Sequence, residues 1–276
     1  MANLYSPADR GFDPRMDAID RCQVGLLREL AGQLGKRLIL KGGMAMRAAF
    51  GSMRLTRDID FDRDSTISQE TLKKNLGRLL VRAASAAAIR DPKAEITKDT
   101  RTTVRARLSG TIGNGLGVRF DIEVSGRDTP SPHNVREAIV VAPASYAMAP
   151  FPVTTYTNAA LAAMKIGAAL AEQRNAPRDL YDLRDLVRAG ADPVELLSRQ
   201  EPEQLAGFSA RALGKLEALS FQQAQQELLP YLPPEERQML DENTWIDMTL
   251  TVAQTIETWC DTALDMQRKS VLRQRP

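Results

Sequence analysis

The 276-residue sequence contains only two cysteines, Cys22 and Cys260, and a single histidine, His133. The cysteines fall far apart in helical patterns, so neither a disulfide framework nor a cysteine-based zinc site is expected. One histidine cannot build a histidine-rich metal centre, and no catalytic triad around it is visible. Aromatic residues make up 5% of the chain. No apolar run approaches the roughly 18 residues that a membrane span requires. The formal net charge of +2 excludes a global basic field as the means of attracting nucleic acid. The start, MANLYSPADRGFDPR, lacks a charged segment leading into an apolar one, so no signal peptide is expected. These absences describe a cytoplasmic protein without membrane association, whose plentiful metal ligands are carboxylates.

What is present is an ordinary globular composition, 43% apolar and 26% charged, long enough for two domains. MDAIDRCQVGLLRELAGQLG has apolar residues at helical spacing and ends in Gly35, a suitable C-cap. RLILK reads as a short buried strand, MAMRAAF as a short helix, RDIDFD as a half-buried strand, and residues 67–89 as a long amphipathic helix. AEITKDTRTTVRARLSG and GVRFDIEVS read as two strands, joined by a hairpin turn at TIGNGLG. EAIVVAP adds another strand, and the proline-containing APFPVTTYT closes the region. Beyond it helical spacing dominates, and a last helix from about Asp241 puts Trp245, Met248, Val252, Ile256 and Trp259 on one stripe. The expected organisation is an α/β domain over residues 1–155 and an all-helical domain over 156–276.

Charge is unevenly spread. From Lys73 to Arg107 there are ten Lys or Arg against three Asp or Glu, and the terminal RKSVLRQRP is basic as well. Two readings stand: a solvated helix and strand face, or a patch that follows a phosphate backbone.

The stretch KGGMAMRAAFGSMRLTRDIDFD holds the densest chemistry. Asp58 and Asp60 lie two apart on a predicted strand, so both project from one face while Ile59 and Phe61 hold the other. Adjacent carboxylates repel each other, and a hard divalent cation, magnesium or manganese, relieves that repulsion. The competing reading is a solvated pair on an edge strand. Asp121, in the alternating GVRFDIEVS, is a third strand carboxylate able to complete a two-ion cage. Glu123 points the same way, as a neighbour of that cage or a surface residue. Gly42 and Gly43 end a strand and open a helix, where N–H groups and the positive dipole end favour phosphate; a tight turn alone also explains them. Lys165 stands in the apolar LAAMKIGAAL, either to neutralise a triphosphate or as a snorkelling surface lysine. Asp179 and Asp182 share one helix face, solvated or set to orient Lys165 or the nucleotide.

LKGGMAMRAAFGSMRLTRDIDFD, FDIEV and MKIGAALAEQRNAPRDLYDLRDL, in that order, resemble the AbiEii/AbiGii-type nucleotidyltransferase toxins, which include the MenT-type toxins. The resemblance implies an α+β fold, a polymerase-β-like nucleotidyltransferase domain with a mixed sheet, followed by the helical domain. It implies magnesium-dependent transfer of a nucleotide from an NTP to an acceptor, the 3′ end of tRNA in MenT-type members, and a cognate antitoxin. By this matching Gly42 and Gly43 are the phosphate-cradling glycines, and Asp58 and Asp60 the metal-binding pair. Asp121 is the third carboxylate, Lys165 the essential lysine and Asp179 the acid of the Arg-Asp motif. Asp182 joins the nucleotide-binding set. Met44 departs from the family's frequent Ser or Thr, so backbone amides at Gly43 and Met44 must hold phosphate without a hydroxyl there. Two rivals remain: transfer to a protein or small-molecule acceptor, and an inactive helical interaction protein.

Overall fold

A computed structural model describes residues 2–273 other than 114 and 128–129. Asn114, within the expected hairpin turn, and the end of the basic C-terminal segment lie outside the described residues. The chain divides between Tyr156 and Thr157 into two compact units.

Among the described residues the first unit is built on eight strands: β1 (Ala2–Asn3), β2 (Leu38–Lys41), β3 (Ile59–Arg63), β4 (Arg90–Asp99), β5 (Thr103–Ile112), β6 (Leu116–Ser125), β7 (Val135–Val141) and β8 (Phe151–Tyr156). They form one mixed sheet in the order β1-β7-β8-β2-β3-β6-β5-β4. Its helices are α1 (Pro14–Leu34), α2 (Gly42–Phe50) and α3 (Gln69–Ala86). Asp13 caps α1 by accepting from the Arg15 amide, ahead of Pro14 at the first turn. The β5–β6 hairpin runs in unbroken antiparallel register from Thr103↔Ser125 to Ile112↔Leu116. Val104, Ala106 and Leu108 of β5 and Ile122 and Val124 of β6 are fully buried. Leu72, Leu76 and Leu80 of α3, which packs on β4 and β5, are buried as well. Alternate residues of β5 and β6 point the other way and carry the charges.

One expectation is corrected. AEITKDTRTTVRARLSG is not one strand: the chain turns where the Thr100 amide donates to Thr103, dividing it into β4 and β5. The proline-containing stretch closes the first unit as the strand β8, with Pro152 near its beginning beside Ile139 of β7 and the pairing to β2 at Thr155.

The second unit contains α4 (Asn158–Ala169), α5 (Pro177–Arg188), α6 (Val194–Leu197), α7 (Pro202–Glu217), α8 (Phe221–Glu227), α9 (Pro234–Met239) and α10 (Glu242–Arg273). The α+β class with a helical C-terminal part is therefore the observed one. Trp245, Met248, Val252 and Ile256 bury the expected stripe of α10. Helical drift then brings in Cys260 and Ala263, leaving Trp259 only partly buried. Among the described residues, no helix is long and apolar enough to cross a membrane.

Candidate active site

The glycine turn joins β2 to α2. Gly42 has φ of +65°, a left-handed conformation that glycine adopts without penalty. A Cβ there would lie 2.6 Å from Oδ2 of Asp60, so the Asp60 carboxylate rests directly against the turn. A Cβ on Gly43 would lie 2.7 Å from both Nη2 of Arg54 and Oγ1 of Thr56. Each glycine is thus needed for close approach, and the groups that approach are a carboxylate, a guanidinium and a hydroxyl. Met44 is fully buried and its side chain belongs to the core, so only its amide serves the first turn of α2. Arg54 and Thr56 were not among the sequence candidates. Their signal is MRLTRDIDFD, which puts an arginine and a threonine between turn and acid pair.

Asp58 stands one residue before β3 and Asp60 within it, both half-buried, while Ile59 and Phe61 are buried on the opposite face. β3 pairs in parallel with β6, Ile59 beside Ile122 and Asp60 beside Glu123. Paired residues share a face, so Asp121 and Glu123 project on the same side of the sheet as Asp60. They are already engaged. Nε and Nη2 of Arg107 donate to the two oxygens of Asp121 at 2.9 and 3.2 Å. Nε and Nη2 of Arg105 donate to Oε2 of Glu123 at 2.9 and 2.6 Å. Burial works against the Arg105 charge, but Glu123, Asp121 and Asp58 outweigh it and raise its pKa. Asp62 is buried, bonded to Lys41 at 2.5 Å and to the Tyr156 hydroxyl at 2.7 Å.

Among the described residues, no three His, Cys, Asp or Glu side chains come together as a metal-binding group. Asp58 and Asp60 fit a hard divalent cation: two carboxylates on one sheet face, half open to water and phosphate oxygens. The set of three does not assemble, because Asp121 faces Arg107. The cysteines are buried, and desolvation pushes the Cys22 and Cys260 thiols up to about 12 and about 11, which makes them inert nucleophiles. His133 is exposed on a short 3-10 turn.

In the second unit, Lys165 of α4 is buried, which rules out a snorkelling role. Its Nζ donates to Asp179 at 2.9 Å and to Asp182 at 2.5 Å, both on α5. Asp179 also accepts from Nε of Arg174 at 2.6 Å. The shared acidic face is therefore enclosed, with Asp179 at 1% and Asp182 at 0% exposure. Burial alone would raise the Asp179 pKa, but Lys165 and Arg174 more than offset it and hold the carboxyl at about 2.

A mixed sheet presenting an acid pair beside a glycine turn that opens a helix fits the nucleotidyltransferase class. The family model "Nucleotidyl transferase AbiEii toxin, Type IV TA system" matches residues 25–256, and the chain belongs to that family. Among solved structures the chain is similar to JHP933 from Helicobacter pylori, with TM-score 0.58 and 18% identity, covering 95% of this chain and 99% of that one. It is also similar to a putative nucleotidyltransferase from H. pylori, with TM-score 0.51 and 19% identity, covering 94% and 98%. At these identities the likeness is one of fold. A looser similarity, TM-score 0.48 with 15% identity over 95% and 96%, links it to MenT4, a nucleotidyltransferase toxin from Mycobacterium tuberculosis. No curated protein sequence matches at a significant level.

Proposed function

We propose that this nucleotidyltransferase transfers NMP from an NTP to the 3′ end of an RNA, tRNA by the family resemblance, and so halts translation as a toxin. The observation that carries the reading is the Asp60 carboxylate lying against Gly42, where a Cβ would come within 2.6 Å of it. That contact puts a cation ligand beside amides suited to phosphate, so one triphosphate can engage both.

In the proposed step the acceptor hydroxyl oxygen bonds to the α-phosphorus, the bond to the bridging oxygen breaks, pyrophosphate leaves, and the hydroxyl proton passes to water. A divalent cation, magnesium or manganese, supplies Lewis-acid polarisation of the phosphoryl oxygens when bound. Asp58 and Asp60 would hold it. The amides of Gly43 and Met44 bind phosphate, and Thr56 supplies at the turn the hydroxyl that Met44 lacks. The Arg54 guanidinium adds positive charge beside Gly43. Within the second unit Lys165 is the essential lysine that the family resemblance implies, its ammonium fixed by Asp179 and Asp182. A cognate antitoxin is the partner the family implies.

The test is incubation with labelled NTPs and magnesium, with total RNA or a protein lysate as acceptor. Label is expected in the RNA fraction, and Asp58→Ala or Asp60→Ala should abolish it while the circular dichroism spectrum stays unchanged. Full activity in either variant refutes the assignment. Label in the lysate protein alone moves the acceptor to a side chain.

A further inference from the structure

The charged face of the sheet continues past the acid pair, and on its far side basic residues outnumber acidic ones. Cross-strand register aligns Arg105 with Glu123 and Arg107 with Asp121, and β4 adds Lys98 beside Arg105. Lys98 lies 3.7 Å from Glu123. In the row of Arg107 and Asp121, β4 places Glu95, and one row further Lys93, Ser109 and Arg119 align across the three strands. Both arginine side chains remain substantially accessible, Arg105 at 41% and Arg107 at 33%. Each spends Nε and Nη2 on its carboxylate. Among the described residues no partner takes either Nη1. An arginine held in this way is pre-oriented and still has donors for an anion.

We infer that Arg105 and Arg107 form a phosphate-binding subsite for the acceptor strand, with Asp121 and Glu123 as their positioning residues. The inference rests on the nucleotidyl-transfer reading and assigns a source to the phosphate. In the sheet, β3 with its acid pair has β2 on one side and β6, then β5, on the other. The glycine turn follows β2, so the triphosphate belongs on that flank. Arg105 and Arg107 are on β5, two strands away on the opposite flank, about 10 Å from β3 at ordinary strand spacing. A strand whose terminal hydroxyl reaches Asp58 and Asp60 from there carries its backbone phosphates over the arginines. The same geometry explains why Asp121 does not join the acid pair: its two oxygens are occupied in orienting Arg107.

The test measures binding of a short 5′-fluorescein-labelled single-stranded RNA by anisotropy across a salt series, without NTP. Two lost phosphate contacts should make the slope of log K against log salt shallower by about 1.4 in Arg105→Ala/Arg107→Ala. The double lysine variant, which keeps the charges, should recover most of that slope. NTP affinity by calorimetry should stay at the wild-type value in both. Asp121→Asn should weaken RNA binding yet retain Mn2+ binding by electron paramagnetic resonance, where Asp60→Asn loses it. An unchanged slope in the double alanine variant overturns the inference, as does loss of Mn2+ binding in a folded Asp121→Asn protein. A drop in NTP affinity rather than RNA affinity also overturns it, since the arginines would then serve the triphosphate. Failure of the transfer reading itself looks different: the wild type would put no label from NTP on RNA, while the slope comparison would still be read.

Discussion

The sheet face of the first unit and the α4–α5 cluster of the second handle their charges in opposite ways. On the sheet face of the first, Asp58, Asp60, Asp121 and Glu123 are only partly covered, and their arginine neighbours remain accessible. In the second, Lys165, Asp179 and Asp182 are sealed among helices α4 and α5, with only Arg174 reaching out, its side chain 44% exposed. Half-exposed pairs sit in high dielectric, gain little from each other, and rearrange cheaply when a cation or phosphate arrives. A buried triad cannot rearrange cheaply, because each lost partner strands a charge away from water. On the proposed reading the sheet face is therefore free to change partners during catalysis, whereas the Lys165 cluster is also part of what holds its unit together. An activity lost on substituting Lys165 reports chemistry only after folding has been checked.

That contrast can be broken most directly by removing Lys165. Both tryptophans, Trp245 and Trp259, lie on α10 in the second unit, so their fluorescence follows that unit alone. Lys165→Met takes the shared ammonium from two buried carboxylates and should lower the stability read by tryptophan fluorescence in urea by about 3–5 kcal/mol. Arg105→Ala, judged by thermal circular dichroism, should cost about 1 kcal/mol or less. Equal costs would erase the distinction between the two regions.

Acid sharpens the same comparison. The folded-state pKa of Asp179, about 2, lies below its ordinary value of 3.8. A depressed carboxyl pKa stabilises the fold fully above the unfolded value and loses that contribution as pH falls through the folded one. Between about pH 4 and pH 2 the second unit should therefore lose about 2 kcal/mol through this group. Urea midpoints by tryptophan fluorescence across that range measure the loss, and Asp179→Asn should flatten the dependence. An equally steep dependence in that variant would show that other acids govern it.

Local sequence made the elements around the site legible because each depends on neighbours in the chain. The glycine pair after RLILK, the alternation of Asp58-Ile59-Asp60-Phe61, and the spacing of Asp179 and Asp182 are all short-range signals. Register is not short-range. That Asp121 is held by Arg107 follows from the pairing of β5 with β6, and the position of Arg54 and Thr56 against Gly43 from how a loop returns to the turn. Burial was hidden for a related reason. An acidic helix face reads as solvated until a lysine from another helix neutralises it, as Lys165 does. The parallel pairing of β1 with β7 joins segments more than a hundred residues apart, and no local pattern announces it.

The finest probe compares two glycines with the same backbone and different surroundings. Gly42 and Gly51 have φ of +65° and +67°, so alanine at either carries a left-handed penalty of about 1–2 kcal/mol. At Gly51 a Cβ meets nothing within 4 Å, whereas at Gly42 it meets Oδ2 of Asp60 at 2.6 Å. Thermal melts of the two variants should therefore agree to within about 1 kcal/mol, because the Asp60 side chain can swing aside. Transfer activity should part them: Gly51→Ala retains it, and Gly42→Ala loses most of it by displacing the carboxylate from the turn. Equal activity in both would mean that the contact between Asp60 and the glycine turn is a packing detail, and that the sheet face tolerates displacement of its acid pair as readily as it exchanges partners.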